Sequence, residues 1–245
     1  MRLRRKPWAR PELEACPFYF SDARSLRNRW ESQFVHPGPL HVELGCGKGG
    51  FLARLSEQNP QVNYLGLDIK SEVLVLAKRA AEAQLGTQCP GNVRLAAQDI
   101  ERIYEILGPQ DPVQRIYINF CNPWTKHQQQ KKRLTHPRQL LKYRTFLQEA
   151  GEIWFKTDSE ELFEESLSYF EESGFALRFV TRDLHGSGFS PNILTEHELM
   201  YAQKGLPIHF LIAVKLPYPA IHPSVLDGQR AELEYMAAQL GKLEF

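Results

Sequence analysis

Seven apolar runs of strand length, most of them separated by segments of helical period, leave this chain few folds to choose from. The runs are LHVELG (40–45), VNYLGLD (62–68), NVRLAA (92–97), RIYINF (115–120), EIWFKT (152–157), ALRFVTR (176–182) and HFLIAVKL (209–216). Helices are predicted near residues 22–34, 50–58, 71–85, 100–107, 136–149 and 159–173, the last with Ser159 as its N-cap and Gly174 as its stop. Parallel strands need long crossover connections, and helices of this length supply them. The prediction is an α/β fold, a seven-stranded, mostly parallel sheet with helices on both faces. Three parts follow: a basic N-terminal arm (1–20), the main domain (21–217) and a C-terminal helical extension (218–245). In the extension Leu226, Leu233, Met236, Leu240 and Leu243 recur at roughly helical spacing.

With 245 residues, 42% of them apolar, the chain has material for one good-sized core. No run approaches the ~18 apolar residues of a membrane span. The opening MRLRRKPWAR lacks the apolar stretch of a signal peptide, so a cytoplasmic, membrane-free protein is expected. Cys16, Cys46, Cys89 and Cys121 form no C-x-x-C pair and stand near no histidine cluster; neither disulfides nor a metal site are expected. The net charge of +1 hides a segregation. From Pro112 to Gln148 there are eight Lys or Arg and no acid: Arg115, Lys126, Lys131, Lys132, Arg133, Arg138, Lys142 and Arg144. Glu149 to Glu172 then holds nine acids and one lysine, Lys156. Arg2, Arg4, Arg5, Lys6 and Arg10 add a second basic block around Trp8. Two basic blocks with aromatics point to a phosphate backbone, and the arm is expected to order on binding it.

The turn VELGCGKGGF (42–51) lies between the first main strand and its helix, where small residues let the backbone approach a ligand at the sheet's carboxyl edge. Gly45, Gly47 and Gly50 satisfy G-x-G-x-x-G, a pattern shared by dinucleotide and other nucleoside sites. Three acids narrow the choice. Glu43 would repel a pyrophosphate and favour a cationic, sulfonium-bearing amino acid. Asp68, closing the second strand, can accept both hydroxyls of a ribose, and Asp99, after the third, can reach an adenine amino group. Competing structural roles are a solvated strand-end acid for Glu43 and a helix N-cap for Asp99. Glycine turn and acids together resemble the class I S-adenosylmethionine methyltransferases, a Rossmann-like fold, with S-adenosylmethionine as the implied cofactor.

In that arrangement the fourth strand ends opposite the transferred methyl group, which puts Asn122 of RIYINFCNPW in front of the acceptor. MRLRRKPWA, HVELGCGKGGF, NYLGLDI, RIYINFCNPW, KKRLTHPRQLLKY, IWFKTDSEELFEESL and NILTEHE, in this order, resemble the bacterial tRNA (guanine-N7)-methyltransferase family as far as about residue 216. The resemblance implies methyl transfer to N7 of a guanine in the tRNA variable loop, with tRNA as partner and a monomer or homodimer as the working unit. It places cofactor contacts at Glu43, Gly45, Gly47, Asp68, Asp99 and Asn122, catalysis at Asn122, and acceptor contacts at Lys126, Asp158, Thr195, Glu196, His197 and Glu198. Where the family reads Asp-Pro-Trp and a tight basic cluster, this chain reads NPWTKHQQQKKRL. The family's aspartate is therefore Asn122, and His127 and three glutamines replace part of the cluster.

Guanine N7 is a bare lone pair, so its methylation removes no proton first; alignment and electrostatics carry the acceleration. The Asn122 amide can orient the ring or donate to O6, while Asp158 and Glu198 can receive the donors of the Watson–Crick edge. The structural alternatives are a helix N-cap for Asp158, an exposed first-turn acid for Glu198, a plain surface lysine for Lys126 and rim packing rather than base stacking for Trp124. Three other functions compete. Asn-Pro-Trp is similar to the Asn-Pro-Pro-aromatic loop of amine and amide methyltransferases; a tRNA-binding homologue could have lost turnover at Asn122; a nicotinamide oxidoreductase could use the glycine turn.

Overall fold

Hydrogen-bond pairing in the computed structural model, which describes residues 6–217 and 220–240, joins eight strands in one sheet. They are β1 (Tyr19–Phe20), β2 (Leu40–Leu44), β3 (Asn63–Asp68), β4 (Val93–Ala97), β5 (Val113–Asn119), β6 (Leu147–Thr157), β7 (Phe175–Thr181) and β8 (His209–Lys215). Their order is β1-β4-β3-β2-β5-β6-β8-β7. All neighbours run parallel except β8, which is antiparallel to both β6 and β7. The strand absent from the sequence prediction, β1, has two residues, too few for an alternating pattern to show. The helices are α1 (Ala9–Glu14), α2 (Gly50–Gln58), α3 (Ser71–Leu85), α4 (Pro137–Arg144), α5 (Glu160–Glu172), α6 (Glu196–Ala202), α7 (Pro223–Gly228) and α8 (Arg230–Leu240). No helix among the described residues is long and apolar enough to cross a membrane.

Strand alternation sorts the side chains into two cores. Leu40, Val42, Leu65, Leu67, Ile116, Ile118, Ile153 and Phe155 face α4 and α5. Tyr64, Leu95, Tyr117, Trp154 and Phe210 face α2, α3 and α1. On that second face His41, Glu43, Arg115, Asn119, Glu152 and Lys156 share the parity of Tyr117 and Trp154, so polar side chains run up the sheet toward its carboxyl edge. Buried polar groups persist only when partnered, and most of these are.

Several local expectations change. The segment 22–34 is two short 3-10 turns, Arg24–Leu26 and Trp30–Gln33, rather than one helix. The Asp111 carboxylate accepts from the backbone N–H of Asn28 and Trp30, drawing the chain out of helical register, and Asn28 has φ +64°. The helix expected over 136–149 stops at Arg144, whose guanidinium donates to the carbonyls of Gly174 and Leu216. β6 begins three residues later and bulges around Ala150, at φ +57°. Ser159 caps α5 and Gly174, at φ +80°, follows its end, as predicted. From Lys6 onward the arm is already folded: α1 packs on α3, with Ala9, Leu13, Cys16 and Phe18 buried. Arg2, Arg4, Arg5 and Leu243 lie outside the described residues.

Candidate active site

β2 and β5 are neighbours from which the chain leaves toward opposite flanks of the sheet, and a crevice opens beyond their carboxyl ends. Two cavities occupy it. The larger, about 520 Å³, is lined among others by Gly45, Asp68, Ile69, Asp99, Asn119, Phe120, Asn122 and Trp124. The smaller, about 140 Å³, is lined by Glu43, Gly45, Cys46, Lys48, Phe120, Thr195, Glu196 and His197 among others, and Asn119 as well. They meet at Gly45, Asn119 and Phe120. Such a shape accepts an elongated ligand whose two ends differ in chemistry.

The turn between β2 and α2 makes the junction. Gly45 has φ +75°, and a Cβ there would project into open space along the crevice. The glycine needed for packing is Gly49 rather than the Gly50 counted in the motif. At φ +74°, a Cβ on Gly49 would stand 2.6 Å from that of Ala77, so only glycine lets α2 lie on α3.

Glu43 is 3% exposed. Its Oε1 accepts from Asn119 Nδ2 at 3.0 Å, while Glu43 Oε2 and Asn119 Oδ1 are buried without a hydrogen-bond partner. Two unsatisfied acceptors side by side are costly unless something donates to them. Burial pushes the Glu43 carboxyl up to about 8, offset in part by Asn119 and by the Lys156 ammonium. Asp68 is half-buried, which raises its pKa; its oxygens accept from Gly47 N at 3.2 Å and Lys70 N at 2.9 Å, fixing the carboxylate at the cleft wall. Asp99 is exposed and caps the 3-10 helix Ile100–Glu105, accepting from Glu101 N at 3.0 Å. Capping role and cleft position thus coincide in one residue.

The loop after β5 is bent at two non-glycine residues in the left-handed region, Phe120 at φ +51° and Trp124 at φ +43°. Backbone of this kind persists only where the surroundings over-determine it. Phe120 N donates to Lys156 O, and its ring lies 4.4 Å from that of His197. Arg133, with no exposed surface, donates from Nε to Pro123 O at 2.7 Å and pairs with Glu161 and Glu165 of α5. Asn122 is exposed; its Oδ1 accepts from Trp124 N at 3.0 Å, which leaves the amide N–H groups free toward the cleft. Trp124 lines the same cleft with the Lys132 ammonium 5.3 Å from its ring centre.

Lys126 sits exposed just beyond this loop, at the start of the 3-10 helix His127–Lys132. Asp158 does not cap α5, a task Ser159 performs; its Oδ2 accepts from Tyr201 Oη at 2.5 Å, with His197 Nε2 3.6 Å away. Thr195 caps α6, accepting from Glu198 N at 3.0 Å. Glu196 is exposed and pairs with Lys48 of the glycine turn at 3.1 Å, bridging the mouth of the smaller cavity. Glu198 requires correction, for it is neither an exposed acid nor free to meet a base edge. It is fully buried, and its oxygens accept from Lys156 Nζ, Thr195 N and Asn192 Nδ2 at 2.9, 2.8 and 3.0 Å. The carboxylate braces α6 rather than presenting itself to a ligand.

The basic block also resolves differently. Arg133, Lys142 and Arg144 are buried, while Arg115 pairs with Glu152 and Arg138 with Glu232. Lys126, Lys131 and Lys132 are its exposed lysines, beside the exposed His127. Sequence reasoning overlooked Asn119 and Lys156 as site residues. Their signal was present: each is a polar residue within an apolar strand at the parity of Glu43, and the two pair in register.

A family model described as "Putative methyltransferase" matches residues 37–211. The chain is 54% identical over 216 residues to a tRNA (guanine-N(7)-)-methyltransferase of Ruminiclostridium cellulolyticum, covering 87% of this chain and 92% of that protein. It is 53% identical to one of Clostridium perfringens, over 88% of this chain and all of that protein, and 49% identical to one of Acetivibrio thermocellus over the same shares. Among solved structures, the 16S rRNA methyltransferase KamB aligns with a TM-score of 0.57 at 16% identity over 81% of this chain and 95% of that one. The antibiotic-resistance methyltransferase Kmr gives 0.56 at 14% over 80% and 94%. At such identities these two establish the class I methyltransferase fold.

Proposed function

The chain belongs to the tRNA (guanine-N7)-methyltransferase family, and on that premise we propose that it transfers a methyl group from S-adenosylmethionine to N7 of a guanine in the variable loop of tRNA. The observation that carries this reading is the pair of cavities meeting at Gly45 and Asn119, beside Glu43. A nucleoside suits the larger side, with Asp68 for its ribose and Asp99 for its base. An amino acid suits the smaller side, where the unpartnered oxygens of Glu43 and Asn119 call for a donor, best a cationic one. When bound, S-adenosylmethionine supplies an electrophilic methyl group.

The remaining work falls to the chain's own residues. N7 has no proton to lose, so the acceptor loop needs no general base. Its parts are an amide donor at Asn122, suited to O6, an aromatic face at Trp124, and the three exposed lysines for phosphate. An adenine would bring its own amino group to the Asn122 N–H groups, donor against donor, whereas guanine brings an acceptor. Asp158, held by Tyr201 beside His197, can receive N–H groups of the base.

The exocyclic-amine reading loses support. It needs the Asn side-chain oxygen and the following carbonyl to accept from an NH2 group, and here each already accepts one hydrogen bond, Asn122 Oδ1 from Trp124 N and Pro123 O from Arg133 Nε, so that only one lone pair remains on each. The test is incubation with unmodified tRNA and methyl-labelled S-adenosylmethionine, followed by mapping of the labelled nucleoside. Label on N7 of a variable-loop guanine is expected; label on an exocyclic amine, or tRNA binding without label, would overturn the proposal.

A further inference from the structure

Beyond the family model, which ends at residue 211, the chain returns to the cofactor cleft from behind. α8 lies over α4, held by Leu233 against the cluster around Leu141, by the buried Met236 and by the ion pairs of Glu232. Glu232 Oε1 stands 2.7 Å from Lys142 Nζ, and Oε2 accepts from Arg138 Nε at 2.9 Å. The Lys142 side chain has no exposed surface, so its ammonium depends on this carboxylate. Lys142 Nζ also donates to the carbonyl of Glu101 at 2.6 Å, and Arg138 approaches the Glu101 carboxylate at 3.9 Å. Glu101 lines the larger cavity, and its N–H is the donor that holds Asp99 Oδ1.

We propose that Glu232 is a positioning residue for the cofactor: through Lys142 it fixes the peptide of Glu101, and through Glu101 the carboxylate of Asp99 on the wall that receives the nucleoside base. This rests on the assignment of the cleft to S-adenosylmethionine and assigns to the C-terminal extension a part in cofactor affinity. A short 3-10 helix has few hydrogen bonds of its own. The wall formed by residues 98–105 is anchored in the core by Ile103 and Tyr104, and at Glu101, on the cavity side, by the tie that runs from α8.

The experiment compares full-length Glu232→Gln, Glu232→Asp and the double variant Lys142→Met/Glu232→Gln with the unaltered protein. Expected for Glu232→Gln is a KM and Kd for S-adenosylmethionine raised roughly three- to tenfold, the weight of one hydrogen bond, with kcat at saturating cofactor and KM for tRNA unchanged. Glu232→Asp recovers part of the affinity. Amide exchange across residues 98–105, followed without cofactor, speeds up in Glu232→Gln and in the double variant. The double variant removes the stranded charge as well as the tie, so it separates positioning from destabilisation. If it binds the cofactor like the unaltered protein, the loss in Glu232→Gln came from an unpaired cation and the proposal is wrong. Unchanged exchange and affinity in Glu232→Gln would overturn it equally. Faster exchange in a protein that never binds S-adenosylmethionine would establish the tie and sink the cofactor assignment instead.

Discussion

Replacing Glu43 by Gln is predicted to stabilise the cofactor-free protein while removing its affinity for S-adenosylmethionine. The carboxyl titrates at about 8 in the fold against an ordinary value of 4.5. Between those values the folded state binds more protons than the unfolded chain, so stability falls as pH rises. The contribution of Glu43 is flat below about pH 4.5, grows increasingly unfavourable up to about pH 8, and is flat again above. Integrated, ionisation costs roughly 1 kcal/mol at about pH 5.5, roughly 3 at about pH 7 and roughly 5 at about pH 9. Glutamine keeps the shape and the bond to Asn119, with no charge to bury. The free energy of unfolding, from urea titrations at a series of pH values, is therefore expected to diverge between the two proteins by roughly 3–4 kcal/mol from about pH 5.5 to pH 9, with Glu43→Gln the more stable. Cofactor affinity follows the opposite slope, because a cationic ligand selects the ionised carboxylate. Affinity of the unaltered protein should rise roughly fiftyfold from about pH 6 to pH 8 and then level off. Parallel unfolding curves for the two proteins across this range would refute the reasoning, since they would mean that Glu43 ionises inside the fold as easily as in water.

Three other outcomes are expected. Gly49→Ala introduces a methyl 2.6 Å from Ala77 at a left-handed φ; unfolding titrations should show a loss of about 2–3 kcal/mol. Changing Lys126, Lys131 and Lys132 together to Gln should weaken tRNA binding uniformly and flatten the slope of log K against log salt by about 2, at roughly 0.7 to 0.9 for each phosphate left without its lysine. Asn122→Asp retains an acceptor for Trp124 N, so its Tm should match the parent within a degree or two while kcat changes; a large shift in Tm would show that the loop depends on the amide.

The α/β architecture was legible because it is written in period: strand-length apolar runs and helical spacing survive in any single chain. Glu43, Asp68 and Asp99 were legible for a related reason, since a strand's carboxyl end is a fixed place and an acid there faces the crevice. Glu198 was misread because a capping-box glutamate and a ligand-facing one look alike in TEHEL; what separates them is Lys156, 42 residues away in the chain. The basic block misled in the same way. Charge counted along the sequence says nothing of which guanidinium turns inward, and Arg133 and Arg144 do so because carbonyls of Pro123, Gly174 and Leu216 wait there. The N-terminal arm, read as a charged tail, hid its anchor residues Leu13 and Phe18 just past the last of its arginines, Arg10.

The bend that presents Asn122 is set by others: by the left-handed turns at Phe120 and Trp124, and by Arg133 gripping Pro123 from beneath. What residue 122 contributes to the shape is one acceptor oxygen for Trp124 N, and a carboxylate offers the same. The shape of the loop and the chemistry of the side chain at position 122 are thus uncoupled. A lineage can exchange amide and acid there in a single step, without compensating changes elsewhere, and the exchange is exposed to selection through its chemistry alone.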